Sequence, residues 1–175
     1  NDISSDEKMG GWGMMEQLSE QRRHHIGIIV PDMDQARAEL LRLYGDLPGL
    51  DFVYEFRPDT VWTEGVPVKE PVVLRICMLE WVDGKRMELL QPVEGMHYEH
   101  VTFLQRTGGG LHHVAYYVPG EYPQYRAFLL EQGAKILFES ETEDDRGYRR
   151  CCYLKLPGNG LVVEVAEPPK PHVDR

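Results

Sequence analysis

The alternation of apolar and polar positions divides the chain into two runs of elements in the same order. Residues 23–31 (Arg-His-His-Ile-Gly-Ile-Ile-Val-Pro) and 110–119 (Gly-Leu-His-His-Val-Ala-Tyr-Tyr-Val-Pro) are β-rich stretches closed by proline. A polar turn follows each, and then residues at helical spacing: Ala36, Leu40, Leu41 and Tyr44 in the first copy, Tyr125, Phe128, Leu129 and Gln132 in the second. Asp34 and Glu121 near the starts, and Gly45 and Gly133 past the ends, supply helix punctuation. Three further strands are predicted in each copy, at 52–56, 72–79 and 86–91, and at 134–139, 148–156 and 161–166. The order is β-α-β-β-β, twice.

This repeat predicts an α+β fold of two βαβββ modules, which form a curved mixed sheet around a cavity if both curl about the same space. The organisation expected is an N-terminal extension (1–22), a first module (23–93), a linker helix (94–109) leading through Gly108-Gly109-Gly110 into a second module (110–168), and a proline-rich tail (169–175). The first copy is the longer between its histidines and its closing glutamate. The excess falls in 57–71, where Pro58, Gly65, Pro67 and Pro71 break regular structure, so a loop over the site is expected there.

The closing strands also echo each other: Met87-Glu88-Leu89-Leu90-Gln91-Pro92 matches Val163-Glu164-Val165-Ala166-Glu167-Pro168, with a glutamate in register. If both modules curl about one cavity, His25, Glu88, His113 and Glu164 meet. A carboxylate between apolar strand neighbours costs several kcal/mol to bury unless it is paired or metal-bound. Two imidazoles and two carboxylates suit one borderline divalent ion: zinc, nickel, cobalt, manganese or ferrous iron.

Composition narrows the function classes. With 29 acidic and 19 basic side chains among 175 residues, the net charge of -10 disfavours nucleic acid and anionic membrane surfaces as partners. The longest apolar runs are strand-length, far below the roughly 20 residues that span a bilayer. The polar N-terminus, interrupted by Gly10, Gly11 and Gly13, lacks the build of a secretion signal, and a cytoplasmic location is expected. Of the three cysteines, the adjacent Cys151 and Cys152 are expected to be reduced, with at most one facing any cavity. The open edges of a curved sheet suggest a homodimer, with residues 9–18, including Trp12, Met14 and Met15, as an arm on the partner.

From about His24 to Pro168 the chain resembles the vicinal oxygen chelate superfamily, which includes glyoxalase I, methylmalonyl-CoA epimerases, extradiol dioxygenases and the metal-free bleomycin-resistance proteins. The pieces that carry the likeness are His25-Ile26-Gly27-Ile28, Met87-Glu88-Leu89-Leu90-Gln91-Pro92, Gly110-Leu111-His112-His113-Val114-Ala115 and Gly160-Leu161-Val162-Val163-Glu164-Val165. The stretch Phe103-Leu104-Gln105-Arg106-Thr107-Gly108-Gly109-Gly110-Leu111-His112-His113 is most similar to the epimerases.

The resemblance implies that His25 and His113 are the ligands of each histidine pair and that Glu164 is both metal ligand and proton-transfer base, with Glu88 completing the set. Strand alternation then turns His24 and His112 to the opposite face. The implied activity is that of an isomerase, epimerase or lyase acting on a small carbonyl or acyl-CoA substrate through a metal-stabilised enolate. An extradiol-type dioxygenase or a ligand-sequestering protein are the alternatives. The second carboxylate base of the epimerases falls here on Leu74 or Arg75, neither of which is a carboxylate; Arg75 suits an anionic substrate group or a negatively charged intermediate, with a solvated strand residue as the alternative.

Overall fold

The computed structural model describes Leu18, residues 22–81 and residues 83–168. The first half runs β1 (Arg23–Ile29), α1 (Met33–Tyr44), β2 (Tyr54–Phe56), β3 (Thr60–Thr63), β4 (Val66–Pro67), β5 (Val73–Glu80) and β6 (Arg86–Glu94). After α2 (Glu99–Thr107), the second runs β7 (Gly110–Tyr117), α3 (Tyr122–Glu131), β8 (Lys135–Asp144), β9 (Gly147–Lys155) and β10 (Val162–Glu167). The Asp32 carboxylate caps α1 by accepting the Gln35 N–H at 2.9 Å, and Gly45, at a φ of 76°, ends the helix.

The strands form one mixed sheet in the order β2-β5-β6-β1-β7-β10-β9-β8-β3-β4. At its centre β1 and β7 run antiparallel, while β6 lies parallel to β1 and β10 parallel to β7. The two copies are thus joined through their opening strands and flanked by their closing strands, the α+β architecture that the repeat predicts.

Period-two patterning sorts side chains onto two faces. On the outer face of the first half, Met33 of α1 packs with Cys77, Leu79 and Leu89. On that of the second, Tyr122, Tyr125 and Leu129 of α3 cover Cys152, Leu154, Val163 and Val165. The inner face carries a third cluster drawn from both halves, including Leu74, Ile76, Leu90, Phe138 and Tyr153, with Tyr98 at the start of α2. Truncating a fully buried aromatic such as Phe138 to alanine costs about 3–5 kcal/mol.

Residues 57–71 differ from the expected irregular loop. Thr60-Val61-Trp62-Thr63 is a β-branched and aromatic run that forms β3, and a tight turn at Glu64 (φ 50°) and Gly65 (φ 78°) returns the chain as β4. Pro67 is accommodated because β4 is the sheet's edge and needs no further N–H donor. β3 adds to β8 in the other half, with Thr60 opposite Glu141 and Thr63 opposite Phe138. Because β2 lies at one end of the sheet and β3 near the other, residues 57–59 bridge its two ends and the sheet curls around its inner face. Asp59 fastens the bridge: its N–H donates to the Glu141 carbonyl at 3.0 Å and its carboxylate accepts the Glu143 N–H at 2.7 Å.

The N-terminal arm expected at residues 9–18 lies outside the described residues apart from Leu18, which packs against the α3 cluster. The tail 169–175 lies outside them too. No described helix is long and apolar enough to cross a membrane.

Candidate functional site

The central strands build the site in two rows. Across one, Glu88 of β6, Gly27 of β1 and His113 of β7 are successive partners; across the other, Glu164 of β10, Ala115 of β7 and His25 of β1 are. Each row places a residue with little or no side chain between a glutamate and a histidine, so the two functional groups can lean together over it. Gly27 is the tighter case: a Cβ there would lie 2.0 Å from Cε1 and 2.3 Å from Nε2 of His113. Tyr153 stacks on the His113 ring, with centroids 4.6 Å apart.

The two rows converge. His25 Nε2 lies 3.2 Å from Glu88 Oε2 and 3.3 Å from Glu164 Oε2, and His113 Nε2 lies 3.0 Å from Glu164 Oε2 and 3.8 Å from Glu88 Oε2. The imidazole nitrogens are 3.4 Å apart. All four residues are buried, and one donor atom from each lies within 4.8 Å of every other. Around an ion with bonds of about 2.0–2.2 Å, neighbouring donors sit about 3–3.5 Å apart, which is the spacing of most of these contacts. Glu164 Oε2 is buried and makes no hydrogen bond of acceptable geometry. An orphaned carboxylate oxygen facing two imidazoles is costly for a protein interior and is what a cation would satisfy. The four residues therefore fit a divalent ion.

The residues preceding the two histidines are closer to the site than alternation allows. The β1–β7 ladder skips His24 and His112, so each is the extra residue of a β-bulge, and the bulges swing their rings beside their neighbours. His24 Nδ1 lies 2.8 Å from His25 Nδ1, and His112 Nδ1 2.9 Å from His113 Nδ1. The two pairs differ in their outer partners. His112 Nε2 meets Glu99 Oε1 at 3.2 Å, so a proton on His112 Nε2 is held by the carboxylate and His112 Nδ1 can accept from His113.

His24 Nε2 instead meets the Arg86 guanidinium at 3.0 Å. Arginine only donates, so His24 Nε2 accepts from it, and the Nε2–H of His25 faces Glu88 and Glu164. Burial lowers the His25 pKa, but the two glutamates outweigh it and raise the value to about 10. Burial likewise raises the pKa of Glu164, but the imidazoles of His113 and His25 prevail and hold it well below the usual carboxylate range.

His25, Glu88 and Glu164 line the floor of a cavity of about 170 Å³. Tyr54, Phe56, Leu74, Ile76, Phe138 and Tyr153 wall it, with Ser140, Thr142, Cys151 and the arginines Arg146, Arg149 and Arg150 toward the other end. Cys151 faces this space while Cys152 packs under α3, so one thiol of the pair faces the cavity, as alternation requires. Burial pushes the Cys151 thiol well above the ordinary cysteine range, which keeps it a neutral wall group.

Of the two places expected for Arg75, the structure gives the one outside the cavity. Leu74 and Ile76 line the cavity, so Arg75 between them points outward, where it pairs with Asp34 of α1 and Gln91 at 3.2 Å. The cations that reach the cavity come from the β8–β9 hairpin. Counting back by twos from Tyr153 puts Cys151 and Arg149 on its face, a signal available in the sequence but without a motif to draw attention to it.

A sequence profile of the Glyoxalase/Bleomycin resistance protein/Dioxygenase superfamily matches residues 24–153. The uncharacterized protein YqjC of Bacillus subtilis (strain 168) is 26% identical over 147 residues, 84% of this chain and 92% of that protein. Among solved structures, methylmalonyl-CoA epimerase from Mycobacterium tuberculosis superposes with a TM-score of 0.59 at 20% identity, covering 90% of this chain and 94% of that one. A variant of the Streptomyces coelicolor methylmalonyl-CoA epimerase in complex with 2-nitronate-propionyl-CoA gives a TM-score of 0.52 at 22% identity, covering 84% and 96%. At these identities the structural likeness establishes the fold, and together with the profile, which covers most of the chain, it shows that this protein belongs to the glyoxalase/bleomycin resistance/dioxygenase superfamily, the vicinal oxygen chelate enzymes and their relatives.

Proposed function

We propose that the protein is a metal-dependent isomerase or lyase that forms the enolate of a small carbonyl or thioester substrate, with His25, Glu88, His113 and Glu164 holding one divalent ion and Glu164 moving the proton. The observation that carries this reading is the convergence of four buried donor atoms, one of them the unsatisfied Glu164 Oε2, at the floor of a cavity. A bound divalent ion would act as a Lewis acid toward the substrate's carbonyl oxygen, worth several kcal/mol at the developing charge.

The chain's own residues supply the rest. Glu164 is ionised across the neutral range and faces the cavity, so it can accept the proton alpha to the carbonyl. Phe138, Tyr153, Leu74 and Ile76 keep water from the floor, which strengthens charge interactions there. His112 and Glu99 hold the His113 ring in the form that presents Nε2.

The wall also narrows the reaction. The second base of two-base epimerisation falls on Leu74, which lines the cavity without a carboxylate, or on Arg75, which points away from it. Glu167, the one other carboxylate lining the cavity among the described residues, is tied to Arg150 at 2.7 Å. That favours reactions needing a single proton-moving carboxylate, in which the proton returns to the face it left or departs with a leaving group. The fourth ligand, Glu88, weighs against an extradiol dioxygenase, whose ferrous iron keeps more positions open.

Deuterium wash-in from heavy water tests the reading. A panel of acyl-CoAs, hemithioacetals and simple ketones is incubated with protein carrying a quantified ion. Ion-dependent exchange of the alpha hydrogen in at least one class is expected. Its absence from every class, with one ion bound per chain, would contradict the proposal.

A further inference from the structure

The far end of the cavity holds polar groups that the proposed chemistry leaves unused. Thr142 of β8 is 4% exposed, lines the cavity, and its Oγ1 has no hydrogen-bond partner. Directly across the β8–β9 ladder from it stands Arg149. Arg149 and Arg146 share one carboxylate, Asp144, which Arg149 grips with both Nη atoms at 2.7 Å and Arg146 reaches at 3.3 Å. Arg150 is matched by Glu167. Arg146 and Arg149 thus converge on one carboxylate, while Arg150 pairs with Glu167. Arg146 is the more exposed partner of Asp144, and its guanidinium lies 4.9 Å from the Tyr54 ring that walls the same space.

We infer that this end of the cavity is an anion subsite and that the natural substrate is an extended keto acid, its carbonyl at the His25/Glu88/His113/Glu164 cluster and its carboxylate against Thr142 Oγ1 and Arg146. A buried hydroxyl without a partner is a donor awaiting an acceptor. Arg146, held to Asp144 at 3.3 Å against 2.7 Å for Arg149 and the more exposed of the two, can turn its guanidinium to a ligand carboxylate. Strand geometry sets the reach. Tyr153 is the partner of Glu164 on the neighbouring strand, and Arg149 lies four residues further along β9, about 13 Å at roughly 3.3 Å per residue. The wall between the two ends is aromatic and aliphatic, so the ligand's middle is apolar.

The inference rests on the metal-site reading for the placement of the carbonyl, and the experiment separates the two. Ion stoichiometry is measured first by calorimetric titration. Binding of 4-oxopentanoate, 6-oxoheptanoate and 8-oxononanoate is then compared with that of their methyl esters, in ion-loaded and ion-free protein. In the loaded protein the longer acids are expected to bind at least about tenfold more tightly than their esters, an advantage the shortest acid lacks. Thr142→Val and Arg146→Gln should each weaken binding of the acid more than that of its ester and so reduce the preference for acid over ester. Equal binding of acid and ester, no binding of either, or a preference that survives both substitutions would overturn the subsite. Failure of the metal reading would show instead as no bound ion, and the acid-to-ester ratio in ion-free protein would still decide the subsite.

Discussion

The imidazole of His113 occupies the space that a side chain on Gly27 would fill, its Cε1 only 2.0 Å from where a Cβ would stand. With Tyr153 stacked on the other side of the ring, His113 cannot retreat. Gly27→Ala should therefore push His113 out of the cluster, lowering divalent-ion affinity more than about tenfold at an overpacking cost of about 1–3 kcal/mol in stability. Ala115→Gly, in the equivalent place of the other row, should leave ion binding nearly intact. Titrating both variants with zinc checks this, and normal affinity in Gly27→Ala would show that the row arrangement does not position the ligand.

Glu164 and Glu88 should respond differently to neutralisation. Glu164→Gln removes the group that accepts the substrate proton, so turnover should fall far more than substrate affinity, by about 10² to 10⁴. Glu88→Gln should be milder, because that residue balances charge and orients the ion. Rates for both variants compared at matched ion content decide the matter; equal residual activity would mean that Glu164 has no special role as the base.

Glu99 is expected to act on ion binding from a distance. It touches no ligand, yet its Oε1 lies 3.2 Å from His112 Nε2, and His112 Nδ1 meets His113. Removing such an outer partner weakens ion affinity by about 10- to 100-fold. Glu99→Ala should show that loss in a competition titration, and Glu99→Asp should recover part of it. A role confined to packing would leave affinity unchanged in both.

The pH dependence follows from two opposed shifts in the ion-free protein. His25 is raised from 6.5 to about 10, so the stability it lends is complete below pH 6.5 and is lost as pH rises toward 10. Glu164 is depressed below its ordinary 4.5, so its contribution is complete above that value and is lost as pH falls below it. Together they favour the ion-free fold most between about pH 4.5 and 6.5. An incoming ion must displace the His25 proton, so ion affinity should climb with pH from 6.5 toward 10. Urea melts and zinc titrations across this range test both slopes, and His25→Asn should flatten the alkaline loss of stability.

Much of this architecture was legible because it repeats. The echo of His25 in His113 and of Glu88 in Glu164 carried register information that neither copy holds alone, and the central strands place those four residues as the echo implied. The hairpin at 60–67 was hidden because Pro67 reads as a strand breaker, and its tolerance depends on an edge position fixed only by the whole sheet. The bulges at His24 and His112 were hidden for a similar reason, since a skipped residue leaves no mark on the alternation of its own strand. The two places open to Arg75 could not be told apart because the sequence does not say which face of β5 looks inward; Leu74 and Ile76 look inward, and Asp34 holds Arg75 outside.

The most direct test of the central claim is the number of divalent ions bound per chain, measured by calorimetric titration and by elemental analysis after removal of excess metal. The account predicts one ion per chain in the parent protein, released in acid as protons compete for the ligands, and loss of most of it in His113→Ala. No bound ion in the parent, or full occupancy in His113→Ala, would contradict the account.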